Sequence, residues 1–238
     1  MKAFILAAGH GTRLKPLTDI IPKCLVPIRG IPMLQIWLEI CSRAGIDEVF
    51  LNLHAHAEVA RAAVPQFQGG PRLVLSEEPT LLGSAGTLRK NRYWVAEEKQ
   101  FWVFYSDVLT TLDLEKMMGF HRSGSAAATI GVCRVADPWR CGIVEFDERN
   151  KVLGFTEKPK NPKGNWAFSG VMIATPELLD AIPEEMPCDL GFHVLPRLIG
   201  RMCAYPISEY LLDIGTMKNY QEAQDQWPGL AAQIGAGR

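Results

Sequence analysis

The stretch Leu6-Ala7-Ala8-Gly9-His10-Gly11-Thr12-Arg13-Leu14 sets two glycines and an arginine directly behind an apolar run. Glycine admits positive φ angles and lets backbone N–H groups approach an anion, as a nest-like turn requires. Arg13 can grip phosphate oxygens through its planar fork, and Lys23 adds a point charge further along. The chemistry is phosphate binding, weighed against the ordinary strand-to-loop turn that two glycines alone would favour. A dinucleotide fingerprint G-x-G-x-x-G fails because Leu14 stands at its third glycine, and the Gly-Lys-Ser/Thr of a Walker A loop is missing.

Two carboxylates stand beside apolar runs, Asp107 after residues 101–106 and Asp213 within Tyr210-Leu211-Leu212-Asp213-Ile214-Gly215-Thr216. So placed, they can hold Mg²⁺, a hard cation that takes oxygen ligands and bridges protein to phosphate. Strand-end aspartates also serve as helix caps and turn formers, and that alternative stays open. Glu78-Pro79 precedes Gly83-Ser84-Ala85-Gly86-Thr87, where Ser84 could simply cap a helix. Glu157-Lys158-Pro159 reads by composition as a solvated charged turn, and Asp189 as the cap of an apolar helix. The five histidines show no metal-binding spacing and are expected to be surface or structural.

These groups need a scaffold that alternates strand and helix. The pattern predicts strands over 2–7, 48–53, 72–76 and 101–106, and helices over 32–44 and 58–64, with a helix or helical turn over 83–91. Pro32 suits a first helical turn, and Gly45 stops that helix. Such βαβα order marks a doubly wound α/β fold, whose ligands bind at the carboxyl ends of the strands. After residue 126 strands dominate, over 127–132, 142–146, 152–156 and 168–173, with a polar hairpin turn at 147–150. A helix over 216–226 closes the fold. One domain, 1–226, is expected, with a first part over about 1–125, a second over 126–226 and a fraying tail over 227–238.

The 238 residues suffice for one core, and 25 basic against 26 acidic side chains leave no global field to attract nucleic acid or an anionic membrane. The first residues run into the glycine loop and not into a cleavage site, so no signal peptide is expected, and no run is long enough to span a bilayer. Six scattered cysteines without a C-x-x-C pair argue against a zinc site or a disulfide framework. They read as reduced, mostly buried thiols of a cytoplasmic protein.

With these residues in view, the chain resembles the sugar-1-phosphate nucleotidyltransferases. Their opening signature is similar to L-A-A-G-x-G-T-R-L, followed by P-x-T and then a lysine and a proline; Pro16, Thr18, Lys23 and Pro27 stand in those places. Cys24 departs from the usual proline, and Tyr105-Ser106-Asp107-Val108 from Asn-Gly-Asp-Asn, which puts a ligand contact from Val108 in question. The resemblance covers almost the whole chain, and it makes the part over about 1–125 nucleotide-binding and the part over 126–226 sugar-binding. It implies a three-layer, Rossmann-like, mainly parallel sheet with an added mixed-sheet substrate region. It also implies transfer of a nucleoside monophosphate from a nucleoside triphosphate to a sugar 1-phosphate, with release of pyrophosphate.

Residue by residue, the resemblance assigns Leu6, Ala7, Ala8, Gly9, Gly11, Thr12 and Arg13 to the nucleotide, and Gly83 and Ser84 to a loop lying against the base. Asp107 and Asp213 match the two metal-binding aspartates, with Mg²⁺ as cofactor. Glu157 matches a glutamate that accepts sugar hydroxyl hydrogen bonds, Lys158 a lysine that meets the sugar phosphate, Gly142 a pocket-lining glycine, and Ser169 a sugar-pocket asparagine. Arg13, Lys23, Asp107 and Lys158 are the expected catalytic set. Glu78 matches the position facing the Watson–Crick edge of the base, and a carboxylate suits the N1–H and N2–H₂ donors of guanine. GTP with mannose 1-phosphate is therefore favoured. UTP, dTTP or CTP specificity, a cytidylyltransferase for a non-sugar phosphate, and an inactive regulatory subunit remain alternatives. A homodimer is left open, and the absence of hexapeptide repeats argues against a fused acyltransferase.

Overall fold

The apolar run Ala3-Phe4-Ile5 is fully buried, and it forms the middle of β1 (Lys2–Leu6) in the computed structural model, which describes residues 1–67 and 69–230. A two-residue ribbon follows, β2 (Pro27–Ile28) against β3 (Ile31–Pro32), and leads into α1 (Met33–Arg43). Pro32 stands before the helix, not in its first turn, because its ψ of 139° is extended. Met33, Leu34, Ile36, Trp37, Leu38, Ile40 and Cys41 bury one broad face of α1, and Gly45 at φ 63° ends it. The chain continues through β4 (Glu48–Leu53), α2 (Ala57–Ala63) and β5 (Arg72–Glu77).

Next come α3 (Ser84–Lys90), β6 (Phe101–Tyr105), β7 (Val108–Thr110), α4 (Leu114–Arg122), β8 (Ala128–Arg134), β9 (Gly142–Phe146) and β10 (Val152–Glu157). The last elements are β11 (Trp166–Ala174), α5 (Pro176–Asp180), β12 (Met202–Pro206), β13 (Leu211–Asp213) and α6 (Met217–Gln226). Helix α4 and strand β12 are additions to the expected pattern. Leu114, Met117, Met118 and His121 recur at helical spacing, but Gly119 lowers the helix propensity of so short a segment, and β12 ends on a proline. Of the expected tail, residues 231–238 lie outside the described residues.

The chain forms two units from interleaved segments. The first comprises Met1–Leu81, Phe104–Asp113 and the described residues of Glu209–Arg238. In it β1, β4 and β5 run parallel in that order, with the end of β6 beyond β1. The second unit comprises Leu82–Val103 and Leu114–Ser208. There β11 lies antiparallel to both β8 and β9, β10 pairs antiparallel with β9, and β12 runs parallel to β8. The architecture is thus Rossmann-like α/β, parallel where strands alternate with helices and mixed where hairpins join them.

All six cysteines are unbridged; Cys24, Cys41 and Cys188 are buried, whereas Cys133, Cys141 and Cys203 are half-exposed, against the expectation that most are buried. No helix among the described residues is long and apolar enough to cross a membrane. In the first unit the Trp37 indole stacks on Phe104 with ring centroids 4.4 Å apart, and both side chains are fully buried. Phe104→Ala is expected to cost about 3 to 5 kcal/mol of stability in urea titration, and a loss below about 1 kcal/mol would show that this stack is dispensable.

Candidate active site

The end of β1 delivers the glycine loop in the first unit. Ala7 N–H donates to Asn52 Oδ1 at 2.7 Å instead of continuing the strand, so β1 stops at Leu6. Asn52 Nδ2 in turn donates to Glu78 Oε1 at 2.9 Å, and both residues are 3% exposed. Gly11 lies at φ 62°, and a Cβ there would stand 2.8 Å from Thr18 Cγ2. Thr18 Oγ1 donates to the Gly11 carbonyl at 2.8 Å, which explains the threonine of the opening signature. Gly9, by contrast, does not use a positive φ. Residues Thr12–Leu14 form one tight turn that buries Leu14 and leaves Arg13 exposed.

A second ribbon sets the carboxylates. β7 pairs antiparallel with β13, with Val108 opposite Asp213, and Ile214 N–H donates to the Asp107 carbonyl at 2.9 Å. Asp107 and Asp213 therefore stand beside each other by backbone register. Lys23 forms an ion pair with Asp107, Asp213 Oδ1 accepts the Gly215 N–H at 2.6 Å, and Asn219 Nδ2 donates to the Asp213 carbonyl at 2.6 Å. A Cβ on Gly215 would stand 2.7 Å from Asp213 Oδ1 and 3.1 Å from both Arg13 Nη2 and Lys23 Nζ. Two cations and two carboxylates thus gather around one glycine.

Their charges set their titration. Burial works to raise the Asp107 carboxyl, but the Lys23 ammonium beside it, with help from the backbone and Arg13, holds it below its ordinary value. Asp213 keeps an exposed face, yet desolvation by the chain around its carboxyl and the charge of Asp107 push it upward, partly offset by Lys23, the Gly215 N–H and Arg13. A pair of carboxylates is the donor set of a hard divalent cation. No group of three or more His, Cys, Asp or Glu among the described residues is arranged for a metal, so a divalent cation on these two carboxylates alone would need further oxygen ligands from outside the chain. Cys24, at the usual proline position, is fully buried, and burial pushes its thiol up to about 12, so it is chemically inert.

The remaining residues lie in the second unit. In the β9–β10 hairpin, Asp147 Oδ1 accepts from Arg149 and Lys151 N–H at 2.9 and 2.8 Å, and the register puts Glu157 opposite Gly142. A Cβ on Gly142 would stand 2.6 Å from Glu157 Oε2, and one on Gly191 would stand 2.4 Å from the same oxygen. The carboxylate is therefore wedged between two glycines of different elements. Burial raises its pKa, the Lys158 charge opposes this, and Asp189 adds to it. Lys158 has φ 47°, donates its N–H to the Cys141 carbonyl at 3.0 Å, and carries its Nζ 3.6 Å from Glu157 Oε1 and 5.4 Å from the Phe192 ring centroid.

Ser169 is buried at a bulge of β11, where its Oγ accepts the Val171 N–H at 3.3 Å, and a Cβ on Gly131 would meet that oxygen at 2.6 Å. Gly83, at φ 77°, precedes α3; Ser84 does not cap the helix but donates its hydroxyl to Asp189 Oδ2 at 3.0 Å. Asp189 does act as a cap, though for the short wide turn Leu190–Val194 and not for a regular helix. Sequence reasoning missed Asn52, Gly191 and Phe192. Asn52 carried a usable signal: a single amide in the buried run Val49-Phe50-Leu51-Asn52-Leu53 must find partners.

These features define a Rossmann-like α/β protein whose first unit gathers two basic and two acidic side chains at strand ends and in the loops beside them. The chain belongs to the nucleotidyl transferase family, whose description matches residues 2–228. It is 35% identical over 227 residues to the probable mannose-1-phosphate guanylyltransferase 1 of Oryza sativa subsp. japonica, a match covering 92% of this chain and 63% of that protein. The chain thus spans less than two thirds of the curated relative's length. Among solved structures, a putative glucose-1-phosphate thymidylyltransferase from Bacillus anthracis shares the fold with a TM-score of 0.82 at 22% identity, covering 94% of each chain. HddC from Yersinia pseudotuberculosis superposes with a TM-score of 0.80 at 25% identity, covering 95% of this chain and 99% of that one. Its complex with GMP-PN gives 0.78.

A raised carboxyl opposes folding once ionised: the penalty is absent below the unfolded value of about 3.9 and complete above the folded one. Asp213→Asn is therefore expected to raise the thermal midpoint in metal-free buffer, by a margin that widens as pH rises from about 4 and shrinks with added salt, since Asp213 is partly exposed. A lower midpoint for the variant at neutral pH would refute the repulsion.

Proposed function

We propose that the protein transfers GMP from GTP to a sugar 1-phosphate, mannose 1-phosphate first among the candidates, and releases pyrophosphate. The observation that carries this reading is the convergence of Arg13, Lys23 and Asp213 on Gly215, with Asp107 paired to Lys23. A sugar phosphate is already an anionic nucleophile at neutral pH, so no serine, cysteine or histidine has to activate it. The barrier lies in bringing two anions into line while charge builds on the α-phosphate and the leaving pyrophosphate. Asp107 and Asp213 would hold Mg²⁺, which would supply positive charge to the phosphate oxygens.

The chain's own groups do the rest. Arg13 grips the triphosphate through its fork, and Lys23, kept in place by its pairing with Asp107, stabilises the reacting phosphates. Glu78, anchored by Asn52, accepts from the N1–H and N2–H₂ of guanine. The rice relative's name, a guanylyltransferase, and the neighbour's complex with GMP-PN support guanine. Glu157 accepts from sugar hydroxyls, and Lys158 steers the sugar phosphate. Residues 1–226 then act as one nucleotidyltransferase module, and six free thiols suit work in the cytoplasm.

The test is pyrophosphate release with Mg²⁺ from GTP, UTP, dTTP, CTP and ATP against several sugar 1-phosphates. GTP with mannose 1-phosphate should be the fastest pair, and a clear preference for UTP or dTTP would overturn the guanine assignment. Asp107→Ala should lose about two to three decades in kcat, the loss typical of removing one group that stabilises transition-state charge. Lys158→Ala should raise the KM for the sugar phosphate well above any change in the KM for GTP; equal rises would refute the division of roles.

A further inference from the structure

In the second unit, residues 188–192 are fastened on two sides. On one side, the Cys188 carbonyl accepts from Ala85 and Gly86 N–H at 3.0 Å each, and Cys188 N–H donates to the Leu82 carbonyl at 2.8 Å. Ser84 Oγ donates to Asp189 Oδ2 at 3.0 Å and accepts from Leu190 N–H at 2.8 Å. A Cβ on Gly83 would stand 2.3 Å from the Cys188 oxygen, so the two backbones touch. On the other side, Asp189 Oδ1 accepts from Gly191 and Phe192 N–H at 2.8 and 3.3 Å. The turn so formed presses Gly191 against Glu157 Oε2 and sets the Phe192 ring 5.4 Å from Lys158 Nζ.

We propose that Asp189 is a positioning residue for both substrates: one oxygen of its carboxylate fastens the Gly83–Ser84 turn, and the other shapes the turn that backs Glu157. The inference rests on the reading of Gly83 and Ser84 as the base loop and of Glu157 with Lys158 as the sugar-phosphate groups. Asp189 touches neither substrate and acts through Ser84 and Gly191. Capping alone would occupy Oδ1; it gives no reason for Oδ2 to bond a hydroxyl 105 positions away in sequence. A carboxylate that bridges two turns transmits a displacement of either one to the other, because its two oxygens move as one rigid plane. Loss of the Ser84 hydroxyl therefore disturbs the sugar side, although Ser84 belongs to the base loop.

The experiment is initial-rate kinetics of the full chain with GTP and mannose 1-phosphate, alongside thermal midpoints, for wild type, Ser84→Ala, Asp189→Ala and Asp189→Asn. Asp189→Ala should raise both KM values about tenfold, the scale of one hydrogen bond to a charged group. Asp189→Asn keeps an acceptor for Gly191 N–H and offers an N–H to Ser84 Oγ, so it should stay within about threefold of wild type. Ser84→Ala should raise the KM for mannose 1-phosphate as well as that for GTP. A lower midpoint with both KM values unchanged, or a sugar KM indifferent to Ser84→Ala, overturns the inference; if Asp189→Ala fails to fold, the Ser84→Ala result decides. Wild type that turns over no such pair overturns the functional reading and the inference with it, whereas active wild type with unresponsive variants overturns the inference alone.

Discussion

Two like charges held side by side form the constraint on which the first unit is organised. Backbone pairing of β7 with β13 fixes Asp107 and Asp213 as neighbours, whatever their side chains prefer. Their repulsion is met by Lys23, by Arg13 and by the Gly215 N–H, and the compensation is unequal: Asp107 is held down and Asp213 is driven up. The surrounding choices follow from that. Gly215 carries no side chain because a Cβ would intrude on three charged groups, and Asn219 on α6 ties down the Asp213 carbonyl. On the proposed function, such a cluster would take up a divalent cation and phosphate, the needs of nucleotidyl transfer.

The second unit solves a different problem, that of keeping one carboxylate in a defined place with little to bond it. The β9–β10 hairpin brings Glu157 opposite Gly142, and the wide turn after Asp189 brings Gly191 from another direction. Steric confinement between two glycines does the positioning that hydrogen bonds do for Glu78, whose orientation is set by the amide of Asn52. The two glutamates thus show two ways to fix an acceptor: a donor for one, a narrow slot for the other.

Much of this was legible in the sequence because it rested on local pattern. Strands β4 and β9 match their expected bounds, since mostly apolar stretches give way to polar residues there, and Asp107 and Asp213 were visible as carboxylates beside apolar runs. The rest depended on contacts distant in sequence. Asn52 meets Glu78 and Ala7, and Ser84 meets Asp189; no propensity encodes such pairs. The role of Gly191 is written in what it lacks, which composition cannot flag. Local pattern makes Asp189 a helix cap and leaves capping open for Ser84 beside its place in the base loop. Asp189 does cap, but the hydroxyl of Ser84 bonds Asp189 while Gly83 leads into α3.

Lys158 sits at φ 47°, a backbone region that suits glycine or asparagine and strains most other side chains. Its neighbours enforce it: the N–H is committed to Cys141, and the residue follows the wedged Glu157 directly. Comfort of the main chain and usefulness of the side chain therefore pull in opposite directions at this one codon. A screen that rewards thermal robustness alone would favour the relaxed residue and discard the ammonium. Under the role proposed for Lys158, a strained main chain accompanies the placing of an ammonium beside Glu157.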